Sequence, residues 1–161
     1  MNKLYIMIGC PGSGKSTYAH YMLAQNSDIK YISRDEIRFS LVSEHEQYFS
    51  KEKQVFKTFV NKINQAVNGG YDVIADATHL NQASRSKLFN NLHIDKSKTR
   101  VIGIVMRAPL DECIRRNNLR AGTRACVPEY ELFNMYNAFQ MPSYNEHYGV
   151  FNEIRVIETE E

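Results

Sequence analysis

Short apolar runs alternate with amphipathic segments from one end of this chain to the other. The runs have the length and composition of buried strands, and they fall at residues 4–8, 30–32, 71–75, 101–106 and 154–157. Residues 51–68 place an apolar side chain at every fourth position from Val55 to Val67 before a Gly-Gly stop, as in a helix with one buried face. Shorter helices are expected at residues 17–25, 81–92, 110–119 and 128–139. This alternation predicts an α/β fold in three layers, with helices covering a central parallel five-stranded sheet.

The composition fits a single domain spanning residues 1–161. A hydrophobic content of 43% in 161 residues suffices for one core, and the chain is too short for two ordinary domains. No apolar segment is long enough to span a bilayer and the start does not have the form of a signal peptide, so we expect no membrane association. Three cysteines without metal-ligand spacing predict reduced thiols in a cytoplasmic protein. The five histidines form no array, and we expect them at the surface or in hydrogen bonds.

Two features of the chain leave its partners undecided. A net charge of +2 neither requires nor excludes a nucleic-acid partner, and nothing in the pattern indicates an oligomeric state. The last four residues, 158–161, are expected to form a solvated tail. Aromatic residues at intervals of three in the last predicted helix fit a buried stripe better than a base-stacking surface. They are Tyr130, Phe133, Tyr136 and Phe139.

The strongest chemical signal is the glycine-rich stretch after the first predicted strand. Residues 9–17 read Gly-Cys-Pro-Gly-Ser-Gly-Lys-Ser-Thr, which is the pattern of a phosphate-binding loop. The glycines let successive backbone N–H groups turn inward, and the following helix adds the positive end of its dipole. The alternative is an ordinary glycine-rich turn, which the flanking strand and helix disfavour. The predicted site for ATP and Mg²⁺ comprises Gly12, Ser13, Gly14, Lys15, Ser16 and Thr17, with Lys15 at the β- and γ-phosphates and Ser16 at the metal.

Ligands of such sheets lie beyond the carboxyl ends of the strands, so the residues after the second strand are the next candidates. Asp35 is placed to accept the proton of an attacking hydroxyl, and Arg38, one turn later, to hold an anionic part of the acceptor. The structural alternative is that Ser33 and Glu36 form a capping box and that Asp35 only favours the helix dipole. Both interpretations can hold together.

A carboxylate follows the third predicted strand. Asp76 at this position is a candidate outer ligand of Mg²⁺, and we expect it to bind through water because the ion keeps much of its hydration. Asp76 could instead cap a helix or belong to a turn, and the sequence favours neither interpretation.

Four arginines fall within residues 115–124 without one acidic residue among them. The structural alternative is a solvated helix face followed by a loop. The run passes from a helix into a Gly-Thr turn and ends near Pro128, which favours a lid, at about residues 115–128, that closes over phosphates. Arginine suits that role because its planar fork can hold two phosphate oxygens.

The motifs of this chain together resemble the 5′-kinase domain of phage T4-type polynucleotide kinase. The motifs are residues 9–17, Arg34-Asp35-x-x-Arg38, residues 76–81 and residues 116–128. This domain is in the P-loop kinase group that includes the zeta-type toxins. The resemblance extends over about the first 140 residues in the same order. It implies a P-loop nucleotide kinase-like fold with an arginine-bearing lid. The family transfers the γ-phosphate of ATP to a 5′-hydroxyl of DNA or RNA. Ala77 stands where the family has a hydroxyl after its aspartate, and the family's phosphatase domain has no counterpart here.

Carried over residue by residue, the resemblance implies a role for each motif. Asp35 becomes the general base, and the lid arginines act at the phosphoryl donor. The implied catalytic set is Lys15, Asp35, Arg116 and Arg120, with Arg38 binding the substrate and with Ser16 and Asp76 at the metal. The predicted function is an ATP-dependent kinase that acts on a hydroxyl, and the resemblance favours the 5′-hydroxyl of DNA or RNA as that acceptor. The alternatives are a small-molecule or zeta-toxin-type kinase, and a non-catalytic ATP-binding regulatory module.

Overall fold

A computed structural model describes residues 1–159, and within them one parallel sheet forms the centre of the molecule. Its strands lie in the order β2-β3-β1-β4-β5. They are β1 (Asn2–Ile8), β2 (Lys30–Ser33), β3 (Val73–Asp76), β4 (Thr99–Arg107) and β5 (Glu153–Glu158). In register, Met7 and Ser33 both lie opposite Asp76, so β1, β2 and β3 end at the same edge of the sheet. The predicted parallel five-stranded sheet is confirmed.

Six α-helices connect these strands within the described residues. They are α1 (Lys15–Gln25), α2 (Arg34–Leu41), α3 (Glu52–Asn68), α4 (Gln82–Asn91), α5 (Leu110–Asn118) and α6 (Glu129–Asn137). The predicted helices are present, with ends that differ by a few residues. A short 3₁₀ helix at Glu146–Gly149, which periodicity did not indicate, precedes β5.

The alternation of side chains along β1 divides the core into two layers. Leu4, Ile6 and Ile8 point to one face of the sheet, where they pack with α3 and α4. Tyr5 and Met7 point to the other face, where they pack with α1. Because successive strand residues face opposite sides, one apolar run supports helices above and below the sheet. This arrangement is the three-layer α/β fold that the sequence predicts.

A buried ion pair fixes the loop after β3 against the segment that follows α6. Arg85 of α4 is 1% exposed, and its Nε and Nη2 atoms donate to Glu146 at 2.6 and 3.2 Å. The same guanidinium donates to the carbonyl oxygens of His79 at 2.8 Å and Gln140 at 3.0 Å. The ion pair and the hydrogen bonds, which use four of the five N–H donors of Arg85, offset the cost of burying the two charges. The loop after β3 is thereby held beside the phosphate-binding loop.

The expectations for the C-terminal third are met only in part. Tyr136 and Phe139 of the expected stripe pack against the core, whereas Tyr130 and Phe133 are exposed and Leu132 is the buried residue of α6. The expected solvated tail is also ordered as far as the structure describes it, because Glu158 ends β5 and Thr159 contacts the phosphate-binding loop. Residues 160 and 161, the rest of the expected tail, lie outside the described residues.

Candidate active site

The phosphate-binding loop joins β1 to α1 and leaves Lys15 at the first position of the helix. Gly12 and Gly14 have φ of 81° and 100°, a left-handed conformation that strongly favours glycine. A Cβ atom at Gly12 would lie 2.6 Å from the carbonyl oxygen of Cys113, so the loop rests directly on the backbone of α5. The Lys15 ammonium donates to the Cys10 carbonyl at 3.1 Å. The predicted loop residues thus form one concave turn at the N-terminus of α1, which favours an anion.

Asp76, the last residue of β3, faces the phosphate-binding loop. Its Oδ2 accepts from the Ser16 hydroxyl at 3.0 Å and from the Tyr31 hydroxyl at 2.5 Å. Burial and the Asp76 charge raise the pKa of Tyr31, so its hydroxyl stays protonated and donating. Asp76 is therefore neither a helix cap nor a turn residue.

Ser16 and Asp76 are suited to Mg²⁺ in the way the sequence predicts. A hydroxyl beside a buried carboxylate offers one direct oxygen ligand and one acceptor for metal-bound water, which is all that a phosphate-held Mg²⁺ needs from protein. Within residues 1–159 there is no cluster of three or more His, Cys, Asp or Glu side chains that could hold a metal without such phosphates.

Asp35 and Arg38 meet one turn apart on α2. Arg38 Nη1 donates to Asp35 Oδ1 at 2.6 Å, and the Tyr48 hydroxyl donates to the same oxygen at 3.3 Å. The other oxygen, Oδ2, receives no hydrogen bond from residues 1–159, and the Asp35 side chain is 63% exposed at a cleft. Of the predicted capping box, the N-cap bond is present, because Ser33 Oγ accepts from the Glu36 N–H at 3.2 Å, and no bond from the Glu36 carboxylate back to the Ser33 N–H accompanies it within the described residues. The role of Asp35 as a base stays a prediction.

The guanidinium of Arg38 is buried and held mainly by Glu52, the first residue of α3. Its Nε and Nη2 atoms donate to the two Glu52 oxygens at 2.6 and 3.1 Å. Burial opposes the charge on Glu52, but the hydrogen bonds and charges of Arg38 and Arg34 outweigh burial and lower the pKa of Glu52. Nη1 also donates to Tyr48 at 3.2 Å, so four of the five Arg38 donors have partners and one N–H on Nη2 has none among residues 1–159.

The residues that hold Asp35 and Arg38 in place were not predicted from the sequence. Glu52 and Tyr48 lie 14 and 10 residues from Arg38, in the segment between α2 and α3 that carries no motif. Arg34, read only as part of the resemblance, also binds Glu52 at 3.0 Å while its buried Nε has no partner within the described residues. An acid-rich loop after an Arg-x-x-x-Arg segment was the available signal.

The arginines of residues 115–124 have different surroundings. Arg115 and Arg116 both bind Glu112, one turn earlier on α5. Arg116 also donates to the Gly12 carbonyl at 3.0 Å and to Thr159 at 3.1 Å, so it joins α5 to the phosphate-binding loop. Arg124 donates to the carbonyl oxygens of Phe39 and Val42 at the end of α2. The segment that leaves α5 thus reaches across to the end of α2.

One histidine lies buried behind the loop. His79 has a positive φ of 46°, and its Nδ1 hydrogen bonds to the Met7 carbonyl oxygen at 2.7 Å. Its Nε2 is buried without a partner among residues 1–159, contrary to the expectation that every histidine is exposed or satisfied. Burial lowers the pKa of His79 to about 4, and the ring is therefore neutral at pH 7.

Two clefts adjoin at the phosphate-binding loop. The first, about 250 Å³, contains Lys15, Ser16, Asp35, Arg38 and Asp76. The second, about 590 Å³, is lined by tyrosines of α1 and apolar residues of β4 and β5: Tyr18, Tyr21, Met106 and Ile157 among them. Gly14 and Arg120 line both clefts. A polyphosphate on the loop would therefore have one end in each cleft, with Arg120 at the junction.

Comparisons with known proteins agree with this fold. A family model described as an AAA domain matches residues 4–142. Among solved structures, a chain of the Pnkp1/Rnl/Hen1 RNA repair complex is similar with a TM-score of 0.73 at 22% identity, over 85% of this chain and 43% of that one. This chain therefore spans less than half the length of that relative.

Two further structures cover almost the whole chain. A fungal RNA kinase matches with a TM-score of 0.73 and 13% identity, over 99% of this chain and 76% of that one. A sugar kinase from Janibacter sp. HTCC2649 matches with a TM-score of 0.68 and 14% identity, over 99% and 86%. At these identities the likeness shows the fold. None of the helices in the described part of the chain is long and apolar enough to cross a membrane.

Proposed function

We propose, from the premise that this chain belongs to the AAA domain family, that it is an ATP-dependent kinase whose acceptor is the 5′-hydroxyl of DNA or RNA. The observation that carries this proposal is the meeting of two clefts at one phosphate-binding loop. One cleft offers a carboxylate, Asp35, and the other offers an aromatic and apolar surface large enough for a nucleoside. Such an arrangement supports transfer of a phosphoryl group between two bound molecules.

The donor side of the site would hold ATP by its phosphates. Backbone N–H groups of the loop and the Lys15 ammonium would bind the phosphates, while Tyr18 and Tyr21 would line the space for the base. Arg120, at the junction of the clefts, is placed to neutralise charge on the group in transfer. Arg116 would act differently, because its bonds to Gly12 and Thr159 make it a support for the loop.

Mg²⁺ bound with ATP would sit at Ser16 and, through water, at Asp76, and would supply charge neutralisation to the phosphate oxygens. The Tyr31 hydroxyl bond to Asp76 keeps that carboxylate aligned toward Ser16.

On the acceptor side, Asp35 would orient the attacking hydroxyl and take its proton. Arg38 and Tyr48 occupy Oδ1, which leaves Oδ2 as the oxygen that can accept from a substrate. The hydroxyl oxygen then attacks the γ-phosphorus as its proton passes to Asp35, and the bond to the leaving ADP oxygen breaks. A module that only binds ATP needs no such base, which disfavours the regulatory alternative.

Two observations support a nucleic-acid end over a small molecule as acceptor. The cationic side chains of Arg34 and Arg38 line the cleft beside Asp35, which favours an acceptor that carries its own phosphate. RNA-repair and RNA-kinase structures are among the similar folds. The similar sugar kinase keeps a small hydroxyl acceptor as the second candidate.

Labelled ATP offered with a panel of acceptors tests the proposal. We expect label on 5′-hydroxyl DNA or RNA oligonucleotides and on nucleoside 3′-monophosphates, with plain nucleosides and sugars poor. Lys15→Ala should abolish the labelling. Circular dichroism of the same preparation checks that this variant is folded. Labelling of sugars alone would replace the nucleic-acid acceptor with the small-molecule one, and ATP binding without transfer to any acceptor would overturn the kinase proposal.

A further inference from the structure

We propose that the ring of Phe49 is a stacking platform for the terminal nucleobase of the acceptor. The site would then select a hydroxyl on a base-bearing sugar phosphate. This inference rests on the proposed function and adds to it the feature of the acceptor that is recognised.

Phe49 is an apolar ring in a cleft that is otherwise largely polar and charged. It is 46% exposed and lines the same cleft as Asp35 and Arg38. The ring of Tyr48 meets it edge-on, with 4.6 Å between centroids and an interplanar angle of 86°. The Arg38 guanidinium carbon lies 5.4 Å from the Phe49 centroid. The ring is therefore fixed by two neighbours while about half of its surface stays accessible.

The position of the platform suits a single nucleotide. Arg38 contacts Asp35 through Nη1 and also lies against the ring of Phe49, so the proposed base and the ring are separated by one side chain. A hydroxyl bound at Asp35 and a base stacked at Phe49 can then belong to the same residue of the acceptor. Stacking tolerates any base because each presents a flat π face.

Acceptors with and without a base provide the test. Nucleoside 3′-monophosphates and ribose 3-phosphate that lacks a base are compared in wild type, Phe49→Leu and Phe49→Tyr. We expect Phe49→Leu to lower kcat/KM for the nucleotide by roughly tenfold and to leave the base-free acceptor unchanged, while Phe49→Tyr stays near wild type. Phe133→Leu is the matched control, because Phe133 is 50% exposed on α6 and is not among the residues of this cleft.

Binding of 2-aminopurine riboside 3′-monophosphate gives a readout that needs no catalysis. Its fluorescence should be quenched by wild type and by Phe49→Tyr, and not by Phe49→Leu. Equal losses of kcat/KM for both acceptors, or quenching that survives Phe49→Leu, would overturn the platform. If wild type transfers phosphate to no 5′-hydroxyl, the proposed function fails, and the quenching experiment still decides whether Phe49 binds a base.

Two buried thiols also meet beside the phosphate-binding loop, and we infer that Cys10 and Cys113 are an oxidation site at which hydrogen peroxide forms a disulfide. Their Sγ atoms are 3.4 Å apart, and both residues are buried. The hydrogen bond between the two thiols lowers the pKa of Cys10, with the charge of Lys15 adding to the effect, and the same bond together with burial raises the pKa of Cys113. Cys10 is therefore the thiolate that reacts first.

The chemistry balances with peroxide as the oxidant. The Cys10 thiolate attacks one peroxide oxygen and the O–O bond breaks, giving a sulfenic acid and, after protonation, water. The Cys113 sulfur then attacks the Cys10 sulfur, a second water leaves, and the S–S bond forms. A cavity of about 20 Å³, lined by Cys10, Met106 and Arg107 among others, adjoins Cys10 and has room for one molecule of the size of water.

Disulfide formation would change the phosphate-binding loop. The sulfur atoms must approach from 3.4 Å to about 2.05 Å, which moves Cys10 toward α5. The Cys10 carbonyl holds the Lys15 ammonium, so the shift misplaces the loop and its lysine. We expect the oxidised protein to bind ATP at least tenfold more weakly, and dithiothreitol to restore binding.

Mass spectrometry and ATP titration test this inference together. Oxidised wild type should lose two hydrogens, and peptide mapping should join Cys10 to Cys113. Cys126→Ser should respond as wild type does, because Cys126 lies outside the pair. Cys113→Ser, whose hydroxyl can still donate to Cys10, should stop at a sulfenic acid on Cys10 that dimedone traps, and Cys113→Ala should form it more slowly because that donor is removed. Oxidation confined to Cys126, or a Cys10–Cys113 link without a change in ATP affinity, would overturn it.

Discussion

At the residue scale, the N–H donors of Arg38 determine which oxygen of Asp35 stays free. Arg38 gives two N–H groups to Glu52 and one each to Asp35 and Tyr48. Because these bonds fix the guanidinium, Asp35 Oδ1 is saturated and Oδ2 is left for a substrate. Glu52 is therefore a positioning residue for Asp35, although it lies on another helix.

Asp35→Asn should leave ATP binding nearly unchanged and lower turnover by roughly a hundredfold or more. The amide keeps the shape of the side chain but cannot take the proton of the acceptor. Single-turnover rates and ATP affinity are measured on the same preparation, with Glu36→Gln as the control from the same helical turn. Normal turnover with lowered stability would mean that Asp35 serves only α2 and Arg38.

Glu52→Gln should raise the KM of the acceptor by about tenfold and change the KM of ATP far less. An amide offers Arg38 one acceptor oxygen and no charge, so a bidentate charge-assisted pair is reduced to a single weaker bond. Steady-state kinetics with each substrate varied provides the measurement. Glu46→Gln, which removes an exposed partner of Lys51, is the control, and equal changes in both KM values would contradict the positioning role.

At the scale of elements, α5 connects the two clefts to the phosphate-binding loop. Its backbone supports Gly12, its Arg116 contacts the loop and the end of β5, and the segment after it carries Arg120 and Arg124. The expected lid at residues 115–128 thus has a fixed root on α5 and a contact with α2. Arg120 is the cluster member that lines both clefts.

Arg120→Ala should lower turnover on the order of a hundredfold or more, since this guanidinium is placed where charge develops. Arg120→Lys should recover only part of the loss, because a point charge cannot hold two phosphate oxygens. Turnover of both variants is compared with that of Arg115→Ala, whose side chain pairs with Glu112 on the exposed face of α5. Full activity of Arg120→Ala would contradict this role and would favour the alternative that Arg120 belongs to a solvated surface.

At the scale of the whole molecule, buried polar groups join the C-terminal third to the centre of the sheet. Arg85 and Glu146 connect α4 to the 3₁₀ helix, and Arg85 also holds the loop of His79. The His79 ring is buried in its neutral form against β1. Protonation of this ring therefore opposes folding.

The stability of the protein should fall as the pH is lowered from about 6.5 toward 4 through His79. Its pKa is about 4 when folded against 6.5 when unfolded, so the unfolded chain binds the extra proton in this window. The contribution is fully present above pH 6.5 and amounts to about 3 kcal/mol. Urea unfolding of wild type and His79→Asn at pH 7 and pH 4 measures it, asparagine being tolerant of positive φ. An equal pH dependence in both proteins would assign the loss to carboxylates.

The sequence alone determined the features that depend on short spacing. Apolar alternation specified the five strands, a four-residue period specified α3, and residues 9–17 specified the phosphate-binding loop, because each signal lies within one element or one turn. Ser33 could be placed at the N-cap of α2 and Asp35 in its first turn for the same reason. The local pattern of α6 misled, since three-residue spacing does not say which side of a helix meets the core, and Leu132 rather than Phe133 packs inward.

Only the tertiary structure decided which residues complete the site. Glu52 reaches Arg38 across 14 residues, Arg116 reaches Gly12 across 104, and Thr159 reaches Ser13 across 146. Such contacts have no sequence period, because they depend on how parallel strands bring their carboxyl ends to one edge of the sheet. For the same reason Glu158 and Thr159, expected in a solvated tail, instead end β5 and contact the phosphate-binding loop. Motifs formed by adjacent residues can therefore be recognised in the sequence. The distant residues that hold those motifs in place are known only once the tertiary packing is known.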